Sequence, residues 1–118
     1  MARLSRLLVP AILLGSLSLM ADEKEAPKFT GGDLHKYWMD ACARCHGTTG
    51  NGRDASGKQL PDAGFDFTDA RKANKKKDAD WVKITLEGKD KMPAFKGKMA
   101  EADVQKMITD ILRKFAAK

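Results

Sequence analysis

Two cysteines with two residues between them and a histidine immediately after, Cys42-Ala43-Arg44-Cys45-His46, carry the clearest chemistry in this sequence. Two thiols three positions apart at a helix end can each add to one vinyl group of a haem lying against that turn, and the next residue then offers an imidazole to the iron. A bare Cys-x-x-Cys pair also fits a disulfide or a dithiol redox site. The redox site needs alternating strand and helix periodicity around it, and none is visible. Zinc fits less well, because two cysteines and one adjacent histidine leave no second ligand pair at finger spacing. The expectation is one covalent haem c, attached through Cys42 and Cys45, with His46 as an axial ligand.

The elements that must hold this motif are helical. Leu34, Tyr37, Trp38, Ala41 and Cys42 fall at i, i+3, i+4, i+7 and i+8, which puts one apolar face on a first helix ending near the cysteines. Gly47 breaks it. Residues 48–70 hold four glycines, one proline and the scattered Phe65 and Phe67, a composition suited to compact loops. A second helix is expected from an N-cap at Asp78 or Asp80, through Trp81, Ile84 and Leu86, to Gly88 at the C′ position. A short loop then carries Met92 and Pro93. The last helix is the clearest, with Val104, Met107, Ile108, Ile111, Leu112 and Phe115 on one stripe and charged residues opposite.

Size and composition agree with a bound group at the centre. The chain has 118 residues, one domain's worth, with 32% charged residues and only two tryptophans, one tyrosine and five phenylalanines to build a core. Residues 1–21 are expected to be an export signal: Arg3 and Arg6 precede an apolar run from Leu7 to Met20 that Ala21 closes, and the run is short for a membrane span. Its removal would take the formal charge from +6 to +4, since it contains those two arginines and no acid. Asp22 to Lys28 is charged, contains Pro27 and lacks apolar periodicity, so 22–29 is expected to be a flexible leader and 30–118 the domain proper.

Cys42-Ala43-Arg44-Cys45-His46-Gly47, then Gly50, Gly52 and Pro61, then Gly88, Met92-Pro93-Ala94-Phe95 and the closing amphipathic helix resemble a class I, mono-haem cytochrome c of the bacterial periplasmic type, over roughly residues 30–115 in the family's order. The resemblance implies an all-α fold of three to five helices around one haem, with His46 and a methionine as axial ligands. Met92, directly before Pro93, matches the family's methionine. A thioether is a soft, neutral ligand that a tight turn must present, and Met-Pro after a helix-ending glycine offers one. Met99, in a lysine-rich loop, is the alternative. Met39 and Met107 fall on helices, and His35 falls on the polar side of the first. The resemblance also gives Pro61 a part: in the family, a proline carbonyl accepts the other ring N–H of the ligating histidine. One departure is that the family's glycine eight residues before the first cysteine is Leu34 here, with Ile111 in place of the aromatic residue that faces it.

With both axial positions filled by protein, outer-sphere electron transfer is the work that remains, so the expected function is a one-electron carrier and not an enzyme. The alternative is a haem catalyst or small-ligand sensor with an open or labile sixth position. The expected setting is the periplasm, as a monomer with no stable membrane insertion once the signal is cleaved. Lys72, Lys75, Lys76, Lys77, Lys89, Lys91, Lys96 and Lys98 flank the Met92 segments, which favours redox protein partners acidic at their docking surface. Nucleic-acid binding is not expected, given export and the lack of any recognisable module.

Overall fold

A computed structural model describes residues 25–117. The expected signal segment, 1–21, and the first residues of the leader lie outside them. Among the described residues there is no strand, and the architecture is all-α: α1 (Leu34–Ala41), α2 (Ala43–His46), α3 (Ala70–Ala73), α4 (Asp78–Glu87), α5 (Glu101–Met107), a π-helical turn (Ile108–Leu112) and α6 (Arg113–Ala116).

Helix α1 starts at Asp33, whose carboxylate accepts the backbone N–H groups of His35 and Lys36 at 2.8 and 3.4 Å and so satisfies two otherwise unpaired donors. It buries Tyr37, Trp38 and Ala41, the face its periodicity requires. Cys42, at φ −112°, breaks the run and reopens it as the single turn α2. Helix α3 stands in a stretch without apolar periodicity; the Asp69 carboxylate caps it by accepting from the backbone N–H groups of Arg71 and Lys72. Helix α4 begins one residue before the expected range of starts, with Lys77 as N-cap. Asp78 and Asp80 lie in its first turn, where carboxylates favour the positive end of the helix dipole.

From Glu101 to Ala116 the chain runs as one rod whose Val104, Met107, Ile108, Ile111 and Leu112 are buried as their spacing demands. The π turn inside it coincides with Thr109, whose hydroxyl donates back to the Gln105 carbonyl at 3.1 Å and competes with the backbone ladder. Leu34 and Ile111 line one groove between the start of α1 and this rod, so the two residues that depart from the family pattern face the same space.

The core is a single cluster in which α1, the loop around Phe67, α4, the Phe95–Met99 segment and the terminal rod meet. The segment before residue 30 reaches it as well. Ala26 is 3% exposed and Phe29 packs at the margin, so from Glu25 onward the expected leader lies against the domain.

Candidate haem site

Cys42, Cys45 and His46 share one helical turn, because the carbonyl of Cys42 accepts the backbone N–H groups of both Cys45 and His46, at 3.2 and 3.0 Å. The two cysteines are free thiols, not a disulfide. Cys42 is buried and Cys45 half-buried. Burial pushes the Cys42 thiol up to about 12, against a small opposing pull from Arg44. A thiol so reluctant to ionise is a poor nucleophile for disulfide exchange, and this weighs against a dithiol redox site. Among the described residues no group of three or more His, Cys, Asp and Glu side chains is placed to hold a metal ion, so the zinc alternative finds no ligand set.

The imidazole of His46 is walled by aromatic rings. Phe67 lies 5.3 Å from it and Trp38 5.9 Å, centroid to centroid. Phe67 in turn meets Trp81 edge-on at 5.2 Å, and Phe65 closes the triangle at 5.2 and 5.8 Å. Burial holds His46 below its ordinary pKa, with a weaker opposing effect from the backbone of Ala63. The ring is therefore neutral at pH 7 and keeps a lone pair for a metal.

Its Nδ1 is buried and has no hydrogen-bond partner of good geometry. The loop that approaches this ring comes closest at Ala63 and Gly64, where a Cβ on Gly64 would sit 3.8 Å from Cε1 of His46. Ala63, two residues beyond Pro61, is the loop residue whose backbone lies nearest this ring and opposes its pKa shift. Asp62 turns the chain through φ +58°, which brings Ala63 inside, at 5% exposure, and leaves Pro61 at the surface. A neutral, half-buried imidazole whose Nδ1 is buried and unpaired, on the same turn as two unlinked thiols, fits a haem held covalently with His46 at its iron.

Met92 comes from a different element. Gly88, at φ +77°, ends α4, and the turn that follows closes with Met92 N–H donating to Lys89 O at 2.8 Å and Lys89 N–H to Met92 O at 3.2 Å. The chain then returns along the end of α4, where the Phe95 and Lys96 N–H groups reach the carbonyls of Thr85 and Leu86, each at 3.0 Å. Met92 is half-buried and packs on the core cluster, the same cluster that Trp38 and Phe67 present to His46. Met99 is 5% exposed within the core itself. The aromatic triangle of Phe65, Phe67 and Trp81 was not foreseen as part of the site, since the two phenylalanines stand in a loop without periodicity.

The family described as Cytochrome C oxidase, cbb3-type, subunit III matches residues 31–109, which take in the Cys42–His46 motif, the Met92 turn and most of the terminal rod. The chain belongs to this family. Among solved structures, this cytochrome resembles the KustC0563 c-type cytochrome with a TM-score of 0.56 and 27% identity, over 71% of this chain and 98% of that one. No curated protein matches it. The all-α cytochrome c fold expected from the sequence is the fold observed, and membership of a c-type cytochrome family implies covalently bound haem c. No helix among the described residues is long and apolar enough to cross a membrane.

Proposed function

We propose that this cytochrome is an exported, periplasmic one-electron carrier with a single haem fixed through Cys42 and Cys45 and held axially by His46 and Met92. The observation that carries the reading is a neutral, aromatic-walled His46 on the turn that bears both free cysteines, and a methionine on the glycine-closed turn 88–92 that packs on the same core supports the second ligand. The haem, when bound, supplies an iron that takes up or releases one electron. His46 would hold that iron through a ring nitrogen and Met92 through its thioether, a ligand that would favour the reduced state. Filling both places with protein leaves no seat for a substrate, which supports a carrier over a catalyst or sensor. Phe67 and Trp38 pack against the His46 ring, and Phe65 and Trp81 extend that apolar wall.

The carrier reading extends to its partners. Among the described residues, Lys75, Lys76, Lys77, Lys89 and Lys96 are exposed and take part in no ion pair, whereas Lys72, Lys91 and Lys98 are paired with Asp69, Asp62 and Glu25. A monomer with free positive charge on Lys89 and Lys96, within a few residues of Met92, suits an acidic redox partner.

The test is spectroscopic. The oxidised protein is expected to show the absorption band of methionine–iron bonding, and Met92→Ala to lose it while haem stays on the polypeptide through acid-acetone extraction. Rapid carbon monoxide binding to the reduced wild-type protein would overturn the carrier reading in favour of an open sixth position. Loss of the band in Met99→Ala but not in Met92→Ala would reassign the ligand.

A further inference from the structure

The methionine turn is short of regular structure, and its hold on the domain comes partly from the opposite end of the sequence. Phe95, 3% exposed, is the anchor three residues after Met92. Its ring meets Tyr37 edge-on at 6.4 Å, and Tyr37 meets Phe29 at 5.2 Å. The Phe29 N–H donates to the Lys98 carbonyl at 2.8 Å, and the Lys98 ammonium pairs with the Glu25 carboxylate, which that contact holds below its usual pKa. Between these two ties, Ala26 is buried and the Pro27 carbonyl accepts the hydroxyl of Tyr37. Lys98 itself closes a turn onto Phe95, its N–H donating to the Phe95 carbonyl at 2.8 Å. Residues 25–29 thus join α1, through Tyr37, to the segment that follows Met92, about seventy positions later.

We propose that Tyr37 and residues 25–29 form a strap that positions the methionine loop and sets how readily Met92 leaves the iron. The proposal rests on Met92 as the axial ligand. When the methionine withdraws by lifting the 92–99 segment off the core, with Phe95 and Lys98 tied to the strap, that movement has to break the contacts at Phe29 and Glu25 or drag the strap with it. A break at Tyr37 or Glu25 weakens the strap while leaving the methionine, the histidine and both cysteines in place in the sequence.

The experiment follows the mature holoprotein in its oxidised form as cyanide displaces the methionine, read as decay of the methionine–iron band at saturating cyanide, where departure of the thioether limits the rate. Tyr37→Phe keeps the ring and removes one hydrogen bond, so its displacement rate is expected to rise about two- to tenfold. Glu25→Lys, fully on the surface, sets a positive charge against Lys98 and is expected to give a smaller rise of about twofold. Global unfolding is followed on the same samples by far-ultraviolet circular dichroism in denaturant. Rates equal to wild type in both variants overturn the strap while leaving the Met92 reading intact. A lowered unfolding midpoint in Tyr37→Phe with unchanged displacement assigns it a structural role only and also overturns the proposal. Absence of the band from the wild-type protein overturns the Met92 reading, and the strap's role falls with it. Should Tyr37→Phe not yield holoprotein, Glu25→Lys decides alone.

Discussion

The guanidinium of Arg113 sits over the indole of Trp81, its central carbon 4.0 Å from the ring centroid. The same group reaches Asp78 through Nε at 2.7 Å and through a second nitrogen at 2.6 Å, and donates to the carbonyls of Ala73 and Lys76 at 2.8 and 2.6 Å. One side chain on α6 therefore ties the terminal rod to the corner between α3 and α4 and braces the outer end of an aromatic stack that runs through Phe67 to His46. Arg113→Ala removes a partly shielded cation–π contact, a forked ion pair and two backbone hydrogen bonds, and is expected to cost about 2–3 kcal/mol of unfolding free energy. Arg113→Lys keeps the charge but not the fork, so it should recover less than half of that. Denaturant unfolding of the holoprotein checks both, and a lysine variant as stable as wild type would sink the argument from geometry.

Gly88 is the position at which the methionine turn tolerates least change. A Cβ there would lie 2.8 Å from Met92 O and 2.9 Å from Ala94 N, both backbone atoms that cannot swing aside. Its φ of +77° with ψ 165° lies in a region that glycine alone adopts readily, which adds a backbone penalty for any other residue. Gly57→Ala is the matched control, because Gly57 has φ +85° but open space around it. The control is expected to lose about 1–2 kcal/mol and keep the methionine–iron band. Gly88→Ala is expected to lose about 2–4 kcal/mol and to weaken the band, since the turn must shift to make room. Equal spectra in the two variants would show that the turn does not depend on this close approach.

What could be read from the sequence was what lies close together along it. Cys42, Cys45 and His46 fall within one helical turn, so their spacing already specifies their geometry, and the stripe from Val104 to Leu112 is local in the same sense. The missing pieces depend on meetings between distant segments or on backbone detail. Arg113 looked like one more charge on a polar face, because nothing in sequence links it to Asp78 or Trp81. Helix α3, at four residues, is too short to show a period. The burial of Ala63 beside His46, with Pro61 left at the surface, goes with the positive φ of Asp62, a conformation that its residue type permits but does not announce. Residues 25–28 carry a charge-rich composition that suggests a free tail, yet Ala26 and a single Pro27 carbonyl suffice to seat them.

Tyr37 also gives the protein an alkaline limit that can be measured. Its phenol ordinarily titrates near 10.0, and burial, with a smaller push from the neighbouring Cys42 sulfur, raises it to about 12. The folded state then keeps its proton after the unfolded state has released it. The contribution of this residue is fully present below pH 10 and is lost as pH rises from 10 through 12. Once Cys42 is a thioether its sulfur carries no charge, so burial alone maintains the shift in the holoprotein. Tyr37→Phe has nothing to ionise, and its unfolding midpoint should decline less steeply over that window. Parallel curves for the two proteins would count against a buried, protonated phenol.

Charge around the methionine turn predicts how small redox reagents discriminate between faces of the protein. Lys75 and Lys89 are exposed and unpaired among the described residues, and Lys89 lies three positions before Met92. Ferricyanide, an anion, stands in for an acidic partner, and its oxidation of the reduced protein should slow as ionic strength rises, because screening beyond about 10 Å is substantial at 0.1 M salt. Lys75→Glu with Lys89→Glu is expected to lower the ferricyanide rate about fivefold at low salt and to raise the rate with a cationic oxidant, the differences fading at high salt. Net charge alone would have the same signs, so position must be separated from total. Lys106→Glu with Lys36→Glu makes an equal change in charge on the terminal rod and on α1, away from the Met92 turn in sequence. If electrons pass near that turn, the second pair changes the ferricyanide rate much less than the first. If the two pairs are equivalent, the lysines act only through net charge and the docking surface is elsewhere.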